Sequence, residues 1–182
     1  MVLAPRQNRV ANLQSRKRGG NVSDLNMYMT KVERSDLAGK WALPDRVFFA
    51  CGACNILAYA AIQTFPGRDF KAIWIKPRPG YTGNHIVAVS GSTAFDYHGF
   101  SNWRTLFDHM QRKAARWWPG WDADLIELPA DVLISEAKSR TYDGLWLRQP
   151  DQFLHDALPR ANRFLDRFAI TEVSHCFRRA TG

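Results

Sequence analysis

Cysteine is scarce in this sequence, with three among 182 residues. Cys51, Cys54 and Cys176 are too few for a disulfide framework, and their odd number leaves at least one free thiol. Size points the same way, because a chain this long with 46% hydrophobic residues can bury roughly 70% of its unfolded surface in one core. A disulfide-stapled mini-protein is excluded. Long apolar runs are missing too. No stretch approaches the ~18 consecutive apolar residues that span a bilayer, and Met1 to Arg18 lacks the apolar h-region of a secretory signal. The expectation is a soluble protein without a Sec signal, cytoplasmic or exported as an effector. No internal repeat is present, and no low-complexity tract beyond the first twenty residues.

Those twenty residues also lack acid, while holding Arg6, Arg9, Arg16, Lys17 and Arg18. The whole chain has 25 Lys+Arg against 17 Asp+Glu, a formal charge of +8, so five of the eight net charges sit in the leader and +3 remains for the other 162 residues. The body is only mildly basic. Gly19-Gly20 and the polar run to Asn26 read as a flexible tail more than as an Arg-rich transit peptide. The expected organisation is therefore a basic, flexible segment over 1–40 and a single domain over 41–182.

From 24 to 41 the mixed, charged sequence reads as one helix, ended by Pro44-Asp45. The apolar stretch Val47-Phe48-Phe49-Ala50 leads into Cys51-Gly52-Ala53-Cys54, and Ile56, Leu57, Ala60 and Ala61 then recur at helical spacing. A helix is predicted over 54–65, closed by Pro66-Gly67. Residues 71–76 alternate as a strand, and a Pro/Gly loop over 77–83 follows. Strands over 84–89 and 93–97 flank the turn residues Ser90-Gly91 and make a hairpin. A helix is predicted over 101–118 with Ser101 as N-cap, burying Trp103, Leu106, Phe107 and Met110 and turning Arg112, Lys113 and Arg116 outward. A short strand over 125–128 and helices over 131–140 and 153–168 complete an α+β chain with an antiparallel sheet. Pro159 must start, end or kink the last helix.

Cys54 falls in the first turn of its helix, where free backbone N–H groups and the positive end of the macrodipole favour a thiolate. Gly52 and Ala53 leave the sulfur approachable, and the Cys54 N–H can face an oxyanion. The hairpin then supplies partners. With an even turn centred on Ser90-Gly91, paired residues sum to 181, so that His85 faces Asp96 on one side of the sheet. Directly opposed Cβ atoms lie about 4.5–5.5 Å apart. Asp96 can orient the imidazole of His85 by one ring nitrogen while the other meets the Cys54 sulfur. A slip of one residue would separate them. His98, two residues beyond Asp96, shares its face and is the alternative orienting group.

Cys51-Gly52-Ala53-Cys54 followed by a helix resembles the C-G-[SA]-C motif of papain-like cysteine peptidases, in which the second cysteine is the nucleophile. Asn84-His85 followed by Ile86-Val87-Ala88-Val89 resembles their histidine-bearing strand, and the order Cys, His, Asp is that of the wider superfamily. The resemblance covers 51–99. It departs from papain at Asn55, where an aromatic is expected, and at Phe48, where papain-type enzymes place an oxyanion glutamine. His85 comes only 31 residues after Cys54, against ~130–150 in papain and cathepsins. Such compactness is similar to minimal papain-like hydrolases among bacterial effectors, toxin domains, glutamine deamidases and cell-wall amidases. The resemblance implies a nucleophile-bearing helix packed on an antiparallel sheet, and a Cys54–His85–Asp96 triad cleaving amides of a protein or peptide substrate as peptidase, amidase or deamidase. It calls for no cofactor and no metal. Asn55 and Gln63 are candidates for the second oxyanion donor.

Other readings use the same residues. A C-x-x-C between an apolar strand and a helix is also the arrangement of thioredoxin-like redox sites, with Cys51 as attacking and Cys54 as resolving thiol. Pro77 and Pro79 in a short loop between two strands do not fit that fold. One C-x-x-C supplies only two of the four ligands of a structural zinc site. The basic leader, Arg112, Lys113, Arg116 and the indoles of Trp117, Trp118 and Trp121 fit a nucleic-acid-binding module. The three indoles around Pro119-Gly120 read equally as a lid over a cleft or as a second small core. His109, His155, His175 and Cys176 have no evident role.

Overall fold

The computed structural model describes residues 36–179, with side chains as far as Phe168. Helix α1 (Leu37–Trp41) is capped by Asp36, whose carboxylate accepts from the Gly39 N–H at 2.8 Å. The rest of the helix expected over 24–41, like the basic leader, lies outside the described residues. Helix α2 (Asp45–Ala50) contains Val47 to Ala50. That apolar stretch is therefore not the strand which the redox reading requires. Helix α3 (Cys54–Thr64) follows, and Ile56, Leu57, Ala58, Ala60 and Ala61 are all buried, so the helix runs through the core rather than over it.

Strands β1 (Lys71–Pro77), β2 (His85–Ser90), β3 (Thr93–Asp96), β4 (Gly99–Asn102) and β5 (Ala123–Leu128) form one antiparallel sheet in the order β4-β3-β2-β1-β5. Alternation sorts their side chains onto two faces. Trp74, Ile86, Ala88 and Phe95 meet α3 and the long helix α6 (Leu158–Arg179), while Ile75, Val87 and Ala94 meet Leu106 and Met110 of helix α4 (Trp103–Ala115). The result is α+β, as expected, with helices on both faces of the sheet.

Several boundaries differ from expectation for identifiable reasons. Ser101 does not cap α4. It pairs with Ala94, β4 extends through Asn102, and the Asn102 side chain accepts from the Thr105 N–H at 3.1 Å. The helix expected over 131–140 is a 3₁₀ turn (Ala130–Val132) followed by the short helix α5 (Glu136–Ser139). The last helix begins at Leu158 rather than 153, which places Pro159 in the first turn, where a missing N–H costs nothing.

Trp121 is buried with its indole N–H on the Thr82 carbonyl at 2.9 Å, and Trp118 packs against the same cluster. Only Trp117 of the three indoles is exposed, so this segment is the second small core and not a lid. Among the described residues no helix is long and apolar enough to cross a membrane.

Candidate active site

The path of the chain brings three elements to one end of the sheet. Helix α3 runs one way for 11 residues, roughly 16 Å at 1.5 Å per residue. Strand β1 returns over seven residues, roughly 23 Å at 3.3 Å per residue. Strand β2, antiparallel to β1, therefore starts beside the start of α3. Strand β3, antiparallel to β2, ends there. Cys54 opens α3, His85 opens β2 and Asp96 closes β3.

The β2–β3 register is not the one expected. Ser90 pairs with Thr93, Val89 with Ala94 and Ala88 with Phe95, so partners sum to 183 rather than 181. The turn is Gly91-Ser92. Gly91 has φ 54° while Ser92 is not among the positive-φ residues, which is the pattern of a type II′ hairpin turn. His85 and Asp96 are consequently diagonal rather than directly opposed. A two-residue shift preserves the face, and diagonal neighbours remain within reach of long side chains. The contact survives: His85 Nε2 lies 3.2 Å from Asp96 Oδ2, and both side chains are buried.

The Cys54 thiol hydrogen-bonds His85, and with Nε2 engaged by Asp96 the ring presents Nδ1 to the sulfur. The sulfur also receives the backbone N–H groups of Asn55, in the first turn of α3, and of Ile86. Ile86 is free to donate there because β2–β3 pairing stops at Ala88. Gly52, at φ 116°, takes the backbone through a conformation that a side chain would strain, and a Cβ there would meet open space. This positive-φ step carries the chain from α2 into α3.

Electrostatics follow from these contacts. Burial opposes the Cys54 thiolate and is the largest single influence. The hydrogen bond and charge of His85, with the Ile86 and Asn55 N–H groups, together outweigh it and hold the thiol below its ordinary value. Burial likewise opposes the His85 imidazolium, yet its bonds to Asp96 and Cys54 and their charges push it up to about 10. Asp96 is held well below the usual carboxylate range: burial raises it, but the hydrogen bonds and charges of His85 and His98 win. Sulfur, imidazole and carboxylate thus favour alternating charges, − + −. Tyr97 packs edge-on to His85, with centroids 5.6 Å apart, and its phenol is pushed up by burial and by the charges of Asp96, Cys51 and Cys54.

His98 does not replace Asp96 but bonds to it. Its Nδ1 lies 3.1 and 3.2 Å from the two carboxylate oxygens, and its backbone N–H donates to Oδ1 at 2.8 Å. A readable sign of this was the Asp-x-His spacing before a glycine, which suits an Asx-type turn.

The second oxyanion donor expected at Asn55 or Gln63 is not there. The Asn55 amide donates to the carbonyls of Leu133 at 2.7 Å and Arg148 at 2.9 Å and is buried in that role. Gln63 is exposed near the far end of α3. Phe48 belongs to the core. Cys51 and Cys54 are not joined in a disulfide, and the side chain of Cys176 lies outside the described residues. Among the described residues no group of three or more His, Cys, Asp or Glu could hold a metal ion.

Comparison with protein-family models, with curated protein sequences and with solved structures finds no match to this chain.

Proposed function

We propose that this chain is a cysteine-dependent hydrolase of amide bonds, built as a compact papain-like domain, with a protein or peptide as substrate. The observation that carries the reading is a chain of contacts from the half-buried Cys54, at the first turn of a helix, through the buried His85 to the buried Asp96. Cys54 is the nucleophile, His85 the general base and acid, and Asp96 the group that fixes the imidazole tautomer and steadies its positive charge.

The thiolate attacks the amide carbonyl, and its electron pair forms the C–S bond while the carbonyl oxygen becomes an oxyanion near the start of α3. Collapse expels the amine, which takes its proton from His85 Nδ1. The neutral imidazole then removes a proton from water, hydroxide displaces the sulfur to give a carboxylic acid, and this leaves as the carboxylate after passing its proton to solvent or to the released amine, with the thiolate–imidazolium pair restored. If the substrate is a glutamine side chain, the expelled amine is ammonia.

The test pairs two readouts: new amino termini from an unfolded protein such as casein, and ammonia release from glutamine-containing peptides. Activity that disappears in Cys54→Ala and His85→Ala but persists in Cys51→Ala is the expected result. Equal loss in Cys51→Ala and Cys54→Ala, with reduction of insulin disulfides, would replace it with the dithiol reading. Salt-dependent polynucleotide binding that Cys54→Ala leaves intact, with neither readout detected, would replace it with the binding module.

A further inference from the structure

Asp96 meets more than His85. The pairing of Asp96 with Gly99 makes Tyr97 and His98 the two-residue tip between β3 and β4, and this turn folds His98 back onto the carboxylate. A carboxylate has two oxygens and about four lone-pair directions. On Asp96, Oδ1 accepts the His98 backbone N–H and Oδ2 faces His85 Nε2, while His98 Nδ1 lies within bonding distance of both oxygens. Without the His98 ring, the carboxylate keeps the backbone N–H on Oδ1 and the imidazole of His85 on Oδ2. Rotation about the Cβ–Cγ bond would then carry Oδ2 off the imidazole.

We infer that His98 is a positioning residue, a second histidine that clamps Asp96 so that its Oδ2 stays aimed at His85. This rests on the hydrolase reading and adds a fourth member to the site, in the order sulfur, imidazole, carboxylate, imidazole. The clamp is braced in turn. The His98 ring lies 4.0 Å from that of Tyr97, which packs against His85, and 6.4 Å from that of His109 on α4. His98 therefore faces Asp96 on β3, Tyr97 in its own turn, and on α4 His109, around which Lys113, Arg112 and Arg116 are gathered. It is also about one-third exposed, so the far end of the relay meets solvent.

The test needs no substrate. In the full chain carrying Cys51→Ser and Cys176→Ser, the rate at which iodoacetamide labels Cys54 is followed against pH for the parent, His98→Ala, His98→Asn and His85→Ala. Loss of one charge-assisted bond moves an ionisation by about one pH unit, so the labelling profile of His98→Ala should lie about one pH unit to the alkaline side of the parent's, up to roughly tenfold slower below the parent's midpoint and equally fast at about pH 10. Asn supplies a neutral donor near the position of Nδ1, and His98→Asn should recover most of the difference. If His98→Ala follows the parent while His85→Ala loses the low-pH reactivity, the clamp is refuted and the hydrolase reading survives. An ordinary thiol profile in the parent refutes both. Equal slowing of both His98 variants at every pH, with lowered melting temperatures, means His98 is only structural and overturns the proposal.

Discussion

Asp96→Asn is nearly isosteric, and the geometry predicts that it will disable the site rather than preserve it. The backbone N–H of His98 donates to Asp96 Oδ1 at 2.8 Å, and a main-chain donor cannot become an acceptor. An asparagine at 96 must keep its amide oxygen on that N–H, which turns its NH₂ toward His85 Nε2, where Oδ2 now sits 3.2 Å away. Two donors cannot bond each other. The imidazole must then carry its proton on Nδ1, against the sulfur, in a tautomer unable to accept a proton from the thiol. An ordinary thiol with a pKa of about 8.5 is only ~0.3% ionised at about pH 6, so complete loss of thiolate stabilisation sets a ceiling of roughly 300-fold on the fall in labelling there. The weaker intrinsic nucleophilicity of a low-pKa thiolate offsets part of this, leaving an expected fall of about ten- to a hundredfold. The assay is the pH profile of Cys54 carboxamidomethylation with Cys51 and Cys176 replaced by serine. Asp96→Asn should do no better than Asp96→Ala despite its closer shape. A near-parental profile for Asp96→Asn would refute the amide-direction reasoning.

Three further outcomes concern stability. Asn55→Leu keeps the volume but strands the carbonyls of Leu133 and Arg148; it should cost about 2–4 kcal/mol in urea unfolding, and a loss below about 0.5 kcal/mol would show that those acceptors are satisfied otherwise. Arg160 bonds Asp45 at 2.9 Å and the Trp41 and Leu43 carbonyls, with its guanidinium over Phe48, tying α6 to α1 and α2; Arg160→Met should cost about 2–4 kcal/mol, and a neutral result would count against this tie. The pH dependence has a definite sign on each limb. The depressed Asp96 contributes stability that is present above its ordinary value of 3.8 and lost as pH falls through its lower folded value, so the acid-side fall should shrink in Asp96→Asn. The raised His85 contributes stability that is full below 6.5 and lost as pH rises through about 10, while the depressed Cys54 has the opposite slope up to 9.0. The two slopes oppose each other below 9.0, and above about pH 9 only the His85 decline remains, so the urea midpoint should fall there, and an identical alkaline limb in His85→Ala would contradict it.

Elements set by local pattern are legible in this sequence, and those set by tertiary pairing are not. Period-2 alternation located β1, β2 and β3 to within a residue or so, because the pattern is local. The turn was harder: Ser90-Gly91 and Gly91-Ser92 are both acceptable from composition, and Gly91 chose its place by taking positive φ at the first central position. The failure at Val47 to Ala50 is the usual ambiguity of a short apolar run, settled here by Pro44 and Asp45 starting a helix. Ser101 and Asn102 are both good caps, and only the pairing of β4 with β3 decides between them. Asn55 was the least legible. Its neighbours point to a role in catalysis, whereas its partners lie 78 and 93 residues away, on either side of α5.

The same distinction explains why so short a spacing can hold the site together. Residues on one face of a strand repeat every two positions, so an error of two in the hairpin register leaves His85 and Asp96 on the same side. The 31 residues from Cys54 to His85 are one helix out and one strand back, each roughly 15–25 Å long. That is the shortest excursion that returns a parallel strand to the helix start. A longer chain between nucleophile and base adds nothing that this geometry needs. The acid member comes from the next strand of the same meander, whose own tip brings back His98. The site therefore depends on two tight turns, at Gly91-Ser92 and Tyr97-His98, more than on distant parts of the chain. A single-residue insertion in the first should be far more damaging to Cys54 reactivity than one in the loop over 78–84, because only the former inverts a face.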